Sequence, residues 1–260
     1  MSLKEITEGL NLPKQVLDKA DKFMSALFGP AVKEMGELFA DKIRYKRLKN
    51  QVAIFSKTIS LLEKNGLEPN ELNLKTLIPL VEKSSLEDDE LLQDKWANLI
   101  ANISTNPETG LEPKLVNTLS NLSSLEAQVL DFIHEEFLRR RFAFYERNKN
   151  SNWARYKVVE DVKLSHVSII FSTVKKRFDL NDEFGKICID NLESLGLIKF
   201  EDPVIEIDKG WPTGEIVKEK DMPETVEIDL DITADFNPSE DFNLTAYGNY
   251  FIKQCKSQRK

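Results

Sequence analysis

A chain of 260 residues with 41% hydrophobic side chains can bury one large core or two smaller ones, and its formal net charge of −8 with a pI near 5.1 argues against a generic nucleic-acid binder. Two cysteines and two histidines, with no CxxC pair, cannot supply a spaced zinc cluster and fit a reducing cytoplasm. No apolar run reaches the roughly 18 to 20 residues that cross a bilayer, and the first residues lack the pattern of a secretory signal.

From Pro13, the positions Val16, Leu17, Ala20, Phe23, Met24 and Leu27 recur at helical spacing until Gly29 and Pro30 interrupt them. Between Pro30 and Asn65, Val32, Met35, Phe39, Ile43, Leu48, Val52, Phe55, Ile59 and Leu62 keep steps of three or four, with one of five. That pattern predicts a helix roughly 50 Å long, ended by Gly66. So narrow a stripe on so long a rod needs partner helices, from the same chain or another. The same helix carries a first basic cluster, Arg44, Lys46 and Arg47 with Lys42 and Lys49, around Tyr45.

The stretch SSLEDDELLQDKWANLIAN, residues 84–102, reads as a helix start, with Ser84 or Ser85 as N-cap. Glu87, Asp88, Asp89 and Glu90 then fall in the first turn, where the helix dipole favours anions. Consecutive helical residues point about 100° apart, so these four acids do not converge as paired catalytic carboxylates must. They form a candidate acidic contact surface for a basic partner. Leu92, Trp96, Leu99, Ile100 and Ile103 make the apolar face of this helix. After a loop at 105–110, Glu112-Pro113 starts a helix through Leu115, Leu119 and Leu122, and Ser123-Ser124 caps another carrying Leu125, Val129, Leu130, Ile133 and Phe137. The double serine is where we divide the chain, into a helical domain at 1–123 and a second domain at 124–260.

A second basic cluster follows, in which Arg139, Arg140, Arg141, Arg147, Lys149, Arg155 and Lys157 are interleaved with Phe142, Phe144, Tyr145, Trp153 and Tyr156. Cations beside flat rings can hold phosphates and stack bases; the same residues also read as a solvated helix face with core aromatics. Tyr156 to Val159 is β-prone. Val167, Ile170, Phe171 and Val174 predict one helix, and Phe184, Ile187, Cys188, Asn191, Leu192 and Leu195 another, stopped by Gly196. Strands are expected at Leu197–Phe200, at Val204–Ile207 and over Thr225–Ile232, where apolar and acidic residues alternate. Asn243 to Gly248 then leads into a last helix, Asn249–Lys256. This order is winged-helix-like. The expected fold is mainly α, an elongated helical N-terminal domain followed by a winged-helix-like α+β domain. Residues 201–241 hold fourteen acids against three lysines, a net −11 that leaves +3 for the rest of the chain. A wing so charged repels a phosphate backbone.

Taken together, LFADKIRYKRLKN, LIPLVEKSSLEDDELLQDKWANLIAN, PKLVNTLSNLSSLEAQVLDFI, NLESLGLIKF and LTAYGNYFIKQC resemble the bacterial abortive-infection alpha (Abi-alpha) family over roughly residues 25–255. The acid-then-WANLIAN segment is the most specific part. The resemblance implies a role in bacterial defence against phage, as sensor, adaptor or effector, and carries over no catalytic residue.

Chemistry is sparse in the residues themselves. His134-Glu-Glu-Phe-Leu138 lacks the second histidine of a zinc-protease helix, and no P-loop, dinucleotide fingerprint or GxSxG elbow is present. The expectation is a non-enzymatic cytoplasmic protein without cofactor or metal, acting through contacts with a second copy or a partner protein. A nucleic-acid-binding regulator or sensor is the first alternative. The second is a membrane-perturbing effector, against which Lys14, Asp18, Lys19, Asp21 and Lys22 mix signs and so do not form the basic face that lies on anionic lipid.

Overall fold

The computed structural model describes residues 43–106, 110–150, 156–201, 204–209, 232–237 and 240–257, with Asp18, Lys19 and Lys22. Most of the expected N-terminal helix, the long helix before Ile43 and the alternating run at 225–231 lie outside these residues. Asp18, Lys19 and Lys22 are helical, and Lys19 Nζ stands 2.7 Å from Glu63 Oε1.

Helix α1 (Ile43–Asn65) ends where Gly66 turns left-handed at φ +62°, a conformation that costs glycine little. Its inward face is Val52, Ile54, Phe55, Thr58 and Leu62, packed chiefly on α3 (Glu90–Thr105). From Val52 on, the stripe therefore packs inside the chain. It is rotated from the expected one: Ile54 is fully buried while Ile59 is half-buried. Polar residues share the buried face because they have work there. Asn50 donates to the Ser85 carbonyl at 3.1 Å, just past the end of α2 (Leu74–Ser84), and Gln51 adds a second donor at 3.0 Å to the Val81 carbonyl, which already accepts from the Ser85 amide.

Helix α3 buries Leu92, Trp96, Leu99, Ile100 and Ile103, all five positions of the expected face. Helix α4 (Glu112–Ser120) packs on α2, where Lys83 donates to Asn117 and Ser120. Helix α5 (Ser124–Asn148) opens on a capping box: the Ser123 hydroxyl accepts from the Glu126 amide at 3.2 Å, and the Glu126 carboxylate accepts from the Ser123 amide at 2.7 Å.

Beyond α5 come β1 (Ser168–Ile170), α6 (Phe171–Phe178), α7 (Asp182–Ser194), β2 (Ile198–Phe200), β3 (Val204–Lys209), β4 (Ile232–Asn237), β5 (Asp241–Leu244) and α8 (Ala246–Gln254). The three-stranded sheet has the order β1-β5-β2, antiparallel, with Ile169 opposite Phe242 and Ile198 opposite Leu244. A separate hairpin pairs β3 with β4, from Val204↔Asn237 to Lys209↔Ile232. The C-terminal part is winged-helix-like and the protein mainly α. Three strands depart from the sequence reading; β4 runs on from Ile232, where the expected strand ended, to Asn237. Residues 168–170 belong to β1 and not to the following helix, and Asp241–Leu244 is the central strand where a helix approach was expected. β1 and β5 are each too short to show a period, and only pairing across some seventy residues creates them. Tyr156 to Val159 is no strand; the chain there enters a 3-10 turn at Val159–Asp161.

One continuous apolar cluster contains Trp96 and Leu99 of α3, Phe137 of α5, Phe242 of β5 and Phe251 of α8. Polar contacts cross residue 123 as well: Asn102 donates to the Gln254 carbonyl at 2.7 Å, the Tyr247 and Thr118 hydroxyls are 2.6 Å apart, and Lys95 pairs with Asp131 at 2.6 Å.

The two late motifs interlock. Gly196 turns at φ +72°, its carbonyl accepts from the Thr245 hydroxyl at 2.6 Å, and that hydroxyl caps α8 through the Gly248 amide. Gly248 lies so close to the strand that a Cβ there would stand 2.0 Å from the Leu197 carbonyl oxygen. Backbone cannot yield as a side-chain tip can. Gly248→Ala should therefore lose at least about 2 kcal/mol in urea denaturation, whereas Ala at the open, exposed Lys253 position should leave the midpoint nearly unchanged.

Candidate protein-contact surface

In the acidic stretch, the N-cap of α3 is Asp89, whose carboxylate accepts from the Leu92 amide at 3.0 Å, and Glu90 is the first helical residue. Neither serine caps this helix. Ser84 is the last residue of α2 and Ser85 follows as its C-cap, its hydroxyl donating to the Glu82 carbonyl at 2.6 Å. Glu87 accepts from the Asp89 amide at 3.0 Å; its burial raises the carboxyl's pKa, opposed by that amide. Asp88 meets Lys46 of α1, which holds its carboxyl below the usual range. Arg47, one position on, donates to the Ser85 hydroxyl at 2.8 Å and the Glu82 carbonyl at 3.3 Å. Arg44 stands on α1 three residues earlier. The fold thus brings the first basic cluster and the acidic stretch, far apart in sequence, against each other.

The second cluster is likewise engaged. Arg139 and Arg140 both donate to Glu136, at 2.9 and 2.7 Å through their Nε atoms, and these bonds hold the Glu136 carboxyl down at about 2. Arg140 also reaches the Ser168 carbonyl of β1 at 2.9 Å. Arg141 donates to the carbonyls of Val162 at 3.0 Å and Glu160 at 2.5 Å, clamping the 3-10 turn. The Lys157 amide donates to Asp161 at 2.7 Å, its carbonyl accepts from Tyr145, and its side chain is exposed. Phe144 packs edge-on against Tyr156 with centroids 5.9 Å apart. Trp153 and Arg155 lie outside the described residues. Arg140 and Arg141 fasten α5 to the segments after it, while the Arg139 side chain is 70% exposed.

His134 is buried with Lys256 Nζ 3.4 Å from its Nδ1. Burial first, then the charges of Lys256 and Lys253, push it down to about 4, against a weaker pull upward from Asp131 and Asn249. Burial pushes the free thiols of Cys188 and Cys255 up to about 12. Among the described residues no group of three or more His, Cys, Asp or Glu could hold a metal ion, and no helix is long and apolar enough to cross a membrane.

The sequence model of the abortive infection alpha family matches residues 40–255. The chain belongs to that family. No curated protein and no solved structure matches it.

In this family member the second helix of the winged-helix-like unit is α7. Asn181 caps it through the Phe184 amide at 2.8 Å. Gly185 faces α6, where a Cβ would lie 3.1 Å from the Phe171 ring, and Cys188, Ile189 and Leu192 fill the core. That seating turns Phe184 and Ile187 outward, 61% and 57% exposed. The sequence reading placed both on the packed stripe. The available signal was a surplus: α7 carries more apolar residues than one face can bury, and the extra ones stand among acids. Asp182, Glu183, Lys186 and Asp190 are exposed around them.

Two measurements check this description. Asp89→Ala should cost about 1 kcal/mol as a lost cap, while Asp88→Ala should leave the urea midpoint nearly unchanged because both it and its lysine partner are exposed; urea denaturation separates the two. His134 binds its proton later in the folded chain than in the unfolded one, so its contribution is complete above pH 6.5 and is lost as pH falls from 6.5 toward about 4. Between pH 6.5 and 4.5, above the range where Glu136 begins to act, the parent should lose stability faster than His134→Gln, by at most about 1.4 kcal/mol per pH unit.

Proposed function

We propose that this abortive infection alpha protein is a non-enzymatic component of phage defence in the bacterial cytoplasm and acts through protein contacts. Its winged-helix unit serves as a contact module, not a DNA reader. The observation that carries this reading is the outward face of α7, where Phe184 and Ile187 stand among Asp182, Glu183 and Asp190. A helix entering the major groove needs donors and positive charge to meet base edges and phosphates. This one offers two apolar side chains and three carboxylates against a single lysine, Lys186, next to a 201–241 segment of net −11.

Other observations support the same reading. Two cations of the basic aromatic segment, Arg140 and Arg141, are engaged by Glu136 and by backbone carbonyls. Thiols held up at about 12 are poor nucleophiles at neutral pH, and a buried imidazole pushed to about 4 is a weak base. Free, buried cysteines also suit a reducing compartment.

The test is titration of the full chain against labelled duplex DNA at about 50 mM salt, where phosphate-driven binding is strong. The expected result is no saturable binding at micromolar protein. Micromolar binding that weakens steeply with added salt overturns the contact-module reading in favour of a nucleic-acid regulator.

A further inference from the structure

The exposed face of α7 has the composition of a docking surface with one kind of occupant. Phe184 and Ile187 are three positions apart, so they sit side by side on a helix held by its Asn181 cap and by the close approach of Gly185 to α6. Isolated exposed apolar residues are ordinary, but two large ones on the same rigid face, each more than half exposed, make an anchor pair of the sort that dominates binding when desolvated. The surrounding charge says what fits. Lys175 holds Asp182 at 2.6 Å, whereas among the described residues neither Glu183 nor Asp190 has an ion-pair partner, and with the exposed Lys186 beside them the face carries two acids against one lysine. Immediately after β2 the chain enters its most acidic segment. The same face of a second copy would bring like charges together around the two anchors, which is costly across an interface.

We propose, on the basis of the contact-module reading above, that α7 docks a basic amphipathic segment of a partner protein, with Phe184 and Ile187 as apolar anchors and Glu183 and Asp190 as the acidic rim. A helix with large apolar residues at i, i+3, i+4 and i+7 and lysines or arginines beside them supplies both halves of that contact. The apolar anchors set its lifetime, and the acidic rim steers its approach and rejects acidic competitors.

The experiment uses the full chain and a fluorescent helical peptide with leucines at that spacing and lysines elsewhere, followed by anisotropy, beside a control peptide with glutamates for the lysines. The lysine peptide should bind and the glutamate peptide should not. Phe184→Ser plus Ile187→Ser should weaken binding at least about tenfold, and Glu183→Gln plus Asp190→Asn should weaken it less and flatten its salt dependence. All four side chains are exposed, so melting temperatures should be unchanged; Leu138→Ser plus Phe142→Ser, an exposed apolar pair on α5, should bind as the parent does. Equal binding by the parent and the Phe184/Ile187 variant, or no binding by either, sinks the proposal. So does a parent dimer in sedimentation velocity that the Phe184/Ile187 variant dissolves, since that assigns the face to a second copy. Failure of peptide binding with no DNA binding leaves the contact-module reading standing, whereas duplex binding that is lost in the Phe184/Ile187 variant removes that reading itself.

Discussion

The seat of the last helix holds the described parts of the molecule together. Carbonyls at the C-terminal end of a helix have no partner within it, and burying them unpaired is costly. Asn102 of α3 solves this for α8 by donating to the Gln254 carbonyl at 2.7 Å and the Lys256 carbonyl at 3.3 Å. At its other end α8 is held by Thr245 and by the missing side chain of Gly248 against Leu197. A helix fixed at both ends, with Phe251 and Ile252 buried beneath it, joins the winged-helix sheet to the helical region before it. Lys95, Asp131 and Lys256 add a charged seam along the same join, with Asp131 between the two lysines at 2.6 and 3.5 Å. Removing Asp131 would leave two like charges facing each other, so the acid's position is as constrained as any core residue's.

The same economy governs the basic residues. Arg47, Arg140 and Arg141 each donate to backbone carbonyls at the end of a helix, on a strand or in a turn. Guanidinium suits this use because its planar fork reaches two acceptors at once and never loses its charge. A guanidinium engaged in this way keeps its charge but has fewer N–H groups left to grip a phosphate, so Arg140 and Arg141 serve the fold first.

The winged-helix-like unit consequently keeps a packing arrangement without the electrostatics that usually accompany it. Its three-stranded sheet, helix pair and hairpin are winged-helix-like, yet the segment spanning the hairpin is net −11. Packing is set by buried residues such as Val174, Leu192, Leu197 and Phe242, and charge by exposed ones. Because the two sets barely overlap, one fold can present either sign, and function follows the surface.

How much of this was legible in the sequence depended on the range of the interaction responsible. Helices α3, α4 and α5 were readable because caps and a 3.6-residue period are local: Trp96, Leu99 and Ile103 announce a buried face, and Ser123-Ser124 a helix start. The winged-helix order and the acidity of 201–241 were readable for the same reason. Strands β1 and β5 were not, since three or four residues carry no period and acquire one identity only by pairing with each other. Nor was the choice of Asp89 over Ser84 as cap, which turned on α2 running to its C-cap at Ser85 with Asn50 and Arg47 of α1 waiting there. Phe184 and Ile187 were misplaced because hydrophobicity records what a residue prefers, not what it touches. The sequence by itself determined the local elements, the family and the sign of the wing; the tertiary structure decided which apolar face of α7 is buried and which cations are consumed, because both depend on neighbours that only folding brings within reach.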